Sequence, residues 1–89
     1  MIYVTAVHMN GGSGHEHIAS VRWQNQQNAT TETSAREVIV DWIENKHGVA
    51  KVTDGTATVD VGVVDGNPPY LRTYADGRWT NNLLALPRY

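Results

Sequence analysis

The sequence predicts an α+β domain of two layers, a mainly antiparallel sheet of about five to six strands with one helix packed on it, in the order β-β-α-β-β-β-β. Three observations lead there. Short runs of strand-forming residues alternate with Gly-, Asn- and Asp-rich turns at both ends of the chain. One central stretch, residues 34–47, carries apolar residues at helical spacing. The chain has 89 residues and no cysteine, the size of a single domain, 1–89, that must hold its core without disulfides or thiolate metal sites.

Residues 2–9, Ile-Tyr-Val-Thr-Ala-Val-His-Met, form the first strand, and residues 16–23, Glu-His-Ile-Ala-Ser-Val-Arg-Trp, the second. The Gly-rich link from Asn10 to Gly14 joins them as a hairpin. Paired residues share a face of a sheet. Pairing Ala6 with Ala19, Val4 with Val21 and Ile2 with Trp23 therefore keeps one face apolar throughout. The same register sets His8 opposite His17. The polar stretch from Gln24 to Thr33 lacks hydrophobic periodicity and reads as an exposed loop.

Ser34 and Glu37 have the spacing of a capping box that opens the helix. Ala35, Val38, Ile39, Trp42 and Ile43 form its apolar stripe. Lys46 and His47 suit the C-terminal dipole, and Gly48 supplies a left-handed cap. Residues 49–53 and 56–64 follow as a hairpin turning at Asp54-Gly55, with Val52 paired to Ala57. Asp65-Gly66-Asn67-Pro68-Pro69 breaks the chain sharply. Residues 70–74 and 78–80 close around Asp76-Gly77, which sets Tyr74 opposite Trp79. The apolar Leu83-Leu84-Ala85-Leu86 docks on the core before Pro87.

The formal charge is -2, which argues against a general nucleic-acid binder. The acids gather in the middle of the chain, and Arg72, Arg78 and Arg88 in its last third, so a weak nucleic-acid contact is confined to that end. No apolar run is long enough for a membrane helix, and the N-terminus lacks the build of a signal peptide. A cytoplasmic location is the expectation.

Two constellations carry chemistry. His8, His15 and His17 collect at one end of the expected hairpin, and three imidazoles there would form a zinc site. Tyr70, Arg72 and Tyr74 alternate on one strand face, with Trp79 opposite Tyr74 and Arg78 beside it. Aromatic rings with arginine are the chemistry of interface hot spots and of stacking. The run Gly11-Gly12-Ser13-Gly14 fits neither a P-loop nor a dinucleotide fingerprint, and no catalytic set is found.

Three blocks of the chain are distinctive: Gly11-Gly12-Ser13-Gly14-His15-Glu16-His17-Ile18; Val40-Asp41-Trp42-Ile43-Glu44; and Tyr70-Leu71-Arg72-Thr73-Tyr74-Ala75-Asp76-Gly77, continuing through Trp79-Thr80 to Asn82-Leu83-Leu84-Ala85-Leu86-Pro87. With these the chain resembles, over nearly its whole length, a bacterial domain-of-unknown-function family, number 3892. The resemblance implies no activity and no catalytic residue.

The sequence thus sets two classes of function side by side, with an enzyme the less favoured outcome. The first is a binding or interaction module that holds a protein partner or a small anionic ligand on Tyr70, Arg72, Tyr74, Arg78 and Trp79, and that also admits a homo-oligomer. The second is a metal-binding protein built on His8, His15 and His17. No cofactor other than zinc is implied.

Overall fold

Strands β1 (Ile2–Met9), β2 (Ile18–Asn25), β3 (Thr31–Ala35), β4 (Ala50–Thr53), β5 (Thr58–Val64), β6 (Tyr70–Ala75) and β7 (Arg78–Thr80) form one sheet in a computed structural model that describes residues 1–89. Its strand order is β3-β2-β1-β4-β5-β6-β7, and the helix α1 (Arg36–Asn45) joins β3 to β4. Every ladder is antiparallel except β1 with β4, so the seven-stranded sheet is mixed. A parallel pair needs a long connection. Here β2, β3 and α1 supply it, and the chain re-enters the sheet on the free side of β1.

The core lies between α1 and one face of the sheet. It gathers Ile2, Val4, Val7, Ile18, Val21, Ala50, Val52, Val61, Leu71 and Leu83 with Ile39 and Val40 of the helix. Ile18, Leu71 and Leu83 are fully buried. Burying one such side chain stabilises the fold by about 1.5–3 kcal/mol. Leu84 and Leu86 pack on the same cluster, which seats the C-terminal segment. Beyond them Val7 N donates to Pro87 O and Tyr89 N to Val7 O, so the chain end lies beside β1 where β4 has already diverged.

Five expectations are corrected. The polar stretch from Gln24 to Thr33 is not simply a loop, because Thr31–Ala35 is a seventh strand. It lies at the sheet edge, almost wholly exposed, and pairs with β2 through its backbone. Such a strand carries no hydrophobic alternation to read. The first hairpin is also out of register. Val4 pairs with Trp23, and Ala6 pairs with Arg22 rather than Ala19. A bulge at Thr5 adds one residue, and beyond it Val7 pairs with Val21. The bulge lets both Val4 and Val7 reach the core although they are three residues apart.

The capping box does not form. Ser34 is held in β3, and its Oγ accepts the indole N–H of Trp23 at 2.9 Å. The helix starts after Ala35, which makes no side-chain cap. At the other end His47, not Gly48, takes the left-handed conformation, with φ 54°. Gly48 serves a different purpose: a Cβ there would stand 2.1 Å from Cδ2 of Trp42, so the glycine leaves room for the indole.

The two Asp-Gly turns diverge. At Asp76-Gly77 both residues have positive φ, 55° and 78°, and the hairpin is the expected two-residue one. At Asp54 the carboxylate instead accepts the amides of Thr56 and Ala57, each at 2.8 Å. The loop widens to 54–57, Val52 pairs with Val59 instead of Ala57, and the apolar face is kept because the slip is by two residues. Those amides hold the Asp54 carboxyl below its usual range.

Candidate functional site

One face of the sheet carries the helix, and the other carries none. The registers of the ladders align one residue from each strand into a row across that open face: Thr31, Gln24, Tyr3, Lys51, Asp60, Tyr74 and Trp79. Lys51 and Asp60 pair within it at 2.7 Å. Next to the row, Gly62 sits opposite Arg72 and Val64 opposite Tyr70. Alternation along β6 explains the division, since Leu71 and Thr73 are fully buried on the helix side.

Tyr74 and Trp79 are each 43% exposed. Their rings meet edge to face with centroids 5.5 Å apart, the cross-strand pair expected from the tight turn. The indole of Trp79 reaches past β6 to lie over Gly62 of β5, where a Cβ would stand 3.2 Å from Cζ3. Arg72 is braced: Nε donates to Thr80 O at 3.1 Å and Nη2 to Asn81 Oδ1 at 3.0 Å. Two of its five N–H donors are thereby used within the chain. Arg78 does not join this face. It pairs with Ala75, and alternation turns it to the side opposite Trp79. Arg88 is exposed, and its Nη1 donates to Leu84 O at 2.8 Å and Leu86 O at 2.7 Å.

Tyr89 extends the aromatic face at the far end of β1 and β2. Its hydroxyl meets Ser20 Oγ at 2.8 Å, and the Arg22 guanidinium lies 4.5 Å over its ring. His8 Nδ1 donates to the main-chain oxygen of Tyr89 at 2.6 Å, and the two rings lie 5.6 Å apart. All four tyrosines of the chain, Tyr3, Tyr70, Tyr74 and Tyr89, thus belong to this side together with Trp79. The sequence pointed to its β6–β7 half only. Tyr3 falls on this side by alternation with Ile2 and Val4, and the Tyr89 contribution depends on the placement of the chain end.

The histidines are not brought face to face. His8 pairs with Ser20, not His17. His17 and His15 lie in a short 3-10 turn at His15–His17 that precedes β2. His17 Nδ1 approaches Asn10 O at 3.3 Å, and its ring fills the space that a Cβ on Gly12 would need. His15 is buried, its Nε2 has no partner, and burial, with the charge of Arg72 adding to it, pushes its pKa below the ordinary 6.5. No three His, Asp or Glu side chains are grouped so as to hold a metal ion.

On the helix side, a groove of about 640 Å³ opens between α1 and strands β1–β3. Ile2, Trp23, Val38, Ile39 and Trp42 line it, and Glu37, Asp41 and Lys46 stand at its rim. Val38 belongs to the expected apolar stripe, yet it is 57% exposed. The stripe is wider than the sheet beneath it can cover. Sequence reasoning assigned Val38 and Trp42 to the core and so passed over the groove.

A single helix over one face of a mixed seven-stranded sheet, with the other face open and carrying the tyrosines, defines a small α+β domain. The family described as a protein of unknown function (DUF3892) matches residues 3–87, and the chain belongs to it. Comparison with curated proteins and with solved structures gives no match. No helix is long and apolar enough to cross a membrane.

Proposed function

We propose that this domain is a protein-interaction module whose open sheet face, centred on Tyr74 and Trp79 with Tyr70 and Arg72 beside them, binds a partner protein. The observation that carries the reading is the gathering of every tyrosine and one tryptophan on the face that no helix covers. Tyr, Trp and Arg dominate the energetics of protein interfaces. A protein suits the face better than a small anion does. Neither cavity of the fold opens among these residues, and Arg72 is oriented by its bonds to Thr80 and Asn81. Rings held by backbone and by each other lose little freedom on binding, which favours affinity.

The test begins with photo-cross-linking from position 70 in cells of the native host, followed by purification of the captured protein. Calorimetry on the purified pair should show Trp79→Ala weakening binding about 30-fold or more, and Arg78→Ala changing it little. Affinity indifferent to both Trp79→Ala and Tyr74→Ala overturns the proposal. A dimer of this chain that Trp79→Ala dissolves would put a second copy on the face and overturn the choice of a different protein.

A further inference from the structure

The groove beside α1 is unused by the sheet-face reading and is a built cleft in its own right. From its residues we infer that it binds a small organic cation, an amine on an apolar body. Two indoles line it, and each is fixed from behind. Trp23 is anchored by its N–H donated to Ser34 Oγ at 2.9 Å. Trp42 lies against Gly48, where a Cβ would clash with the indole. Between them, Ile2, Ile39 and the exposed Val38 make an apolar floor and wall. The volume of about 640 Å³ is within the ~300–1,000 Å³ usual for small-molecule sites.

The rim supplies the charge preference. Glu37 and Asp41 line the groove against a single ammonium, Lys46, which reaches Asp41 at 3.7 Å. Arg36 pairs with Glu37 at 3.1 Å, but its guanidinium also donates to Glu16 O and it does not line the groove. The lining charges are therefore two carboxylates to one cation. Indole faces attract cations as well. An ammonium at the rim would meet both carboxylates and an indole face, while its apolar body covers Val38. An anion of the same shape would face two carboxylates and a single ammonium, Lys46, that is already paired with Asp41.

The experiment uses three probes of nearly one shape: phenethylamine, phenethyl alcohol and 3-phenylpropionate. Each is titrated into the whole chain and followed by the indole N–H resonances of Trp23, Trp42 and Trp79. The amine should saturate the Trp23 and Trp42 signals, leave Trp79 unmoved, and bind at least fivefold more tightly than the alcohol. The anion should bind more weakly than either. The double substitution Glu37→Gln and Asp41→Asn, whose fold is checked by the dispersion of the same spectrum, should remove the preference for the amine. Equal binding of amine and anion, or shifts confined to Trp79, overturns the inference, as does no saturable shift up to tens of millimolar. A self-associated chain that Val38→Asp returns to monomer would place a second copy in the groove and overturn it too. Binding here is independent of the sheet face, so Trp79→Ala should leave the amine affinity unchanged.

Discussion

Trp79 and Gly62 are separated by a whole strand, yet the indole of one lies across the bare backbone of the other, 3.2 Å from where a Cβ would stand. Any side chain at position 62 would crowd the ring and make it shift. Gly62 has no left-handed backbone requirement, so a substitution acts on the ring rather than on the strand.

Gly62→Val should therefore lift Trp79 from the sheet. We expect a red shift of tryptophan emission and weakened Tyr74–Trp79 coupling in near-ultraviolet circular dichroism, with stability changed by no more than about 1 kcal/mol because the β propensity of valine offsets lost ring contact. Urea unfolding measures the second quantity. An unmoved Trp79 spectrum would show that the indole does not depend on the glycine.

Gly48→Ala tests the seat of Trp42. A methyl group 2.1 Å from the indole carbon must displace the ring or the helix end, and overpacking of this kind costs about 1–3 kcal/mol. The urea midpoint should fall accordingly. Were Gly48 a helix cap instead, the loss would track backbone strain, but its φ is not in the left-handed region, where His47 is found.

Ser34→Ala separates two roles for one hydroxyl. As a helix cap its loss would spread through α1. As the acceptor for Trp23 it should cost about 1 kcal/mol and broaden the Trp23 side-chain signal, with amide exchange in α1 unchanged. Ser34→Thr, which keeps the hydroxyl, should restore most of the loss.

His15 makes stability depend on pH with a defined sign. Its folded pKa lies below the ordinary 6.5, chiefly because the ring is buried and secondarily because Arg72 is near. The unfolded chain therefore takes up the proton first. The contribution of neutral His15 is complete above about pH 6.5, declines as pH falls below that value, and is gone once pH passes the lowered folded value. Urea midpoints from pH 8 to pH 5 should drop over this range, and His15→Asn should flatten the drop. A midpoint that rises on acidification would contradict the burial of the ring.

The fold was legible where apolar spacing and turn chemistry agree. Asp76-Gly77 set Tyr74 against Trp79, and the stripe of α1 placed Ile39 in the core. Polar and local competition hid the rest. β3 consists of exposed Thr, Glu and Ser held by backbone pairing, which leaves no periodic trace. The bulge at Thr5 reverses parity within one strand, so a register argued from alternation cannot survive it. His8 and His17 are apart because His17 lies in the 3-10 turn before β2 and the ladder sets His8 against Ser20. Ser34 had the spacing of a cap, but Trp23, eleven positions earlier, claimed its hydroxyl. Of the candidate face, the half built by one tight hairpin was readable, and the half that needs residues at opposite ends of the chain was not.

The parallel ladder between β1 and β4 has a consequence for assembly. It rests on only two registered pairs, Ile2 with Ala50 and Tyr3 with Lys51, helped by Ile2 N on Val49 O. On either side of this seam, β1–β2–β3 and β4–β5–β6–β7 zip up through short reversals of the chain. Joining partners 48 positions apart carries the larger loop-closure entropy. Pairing within each half therefore closes shorter loops than the seam between them, in which Ile2 makes both a registered pair and an added backbone hydrogen bond.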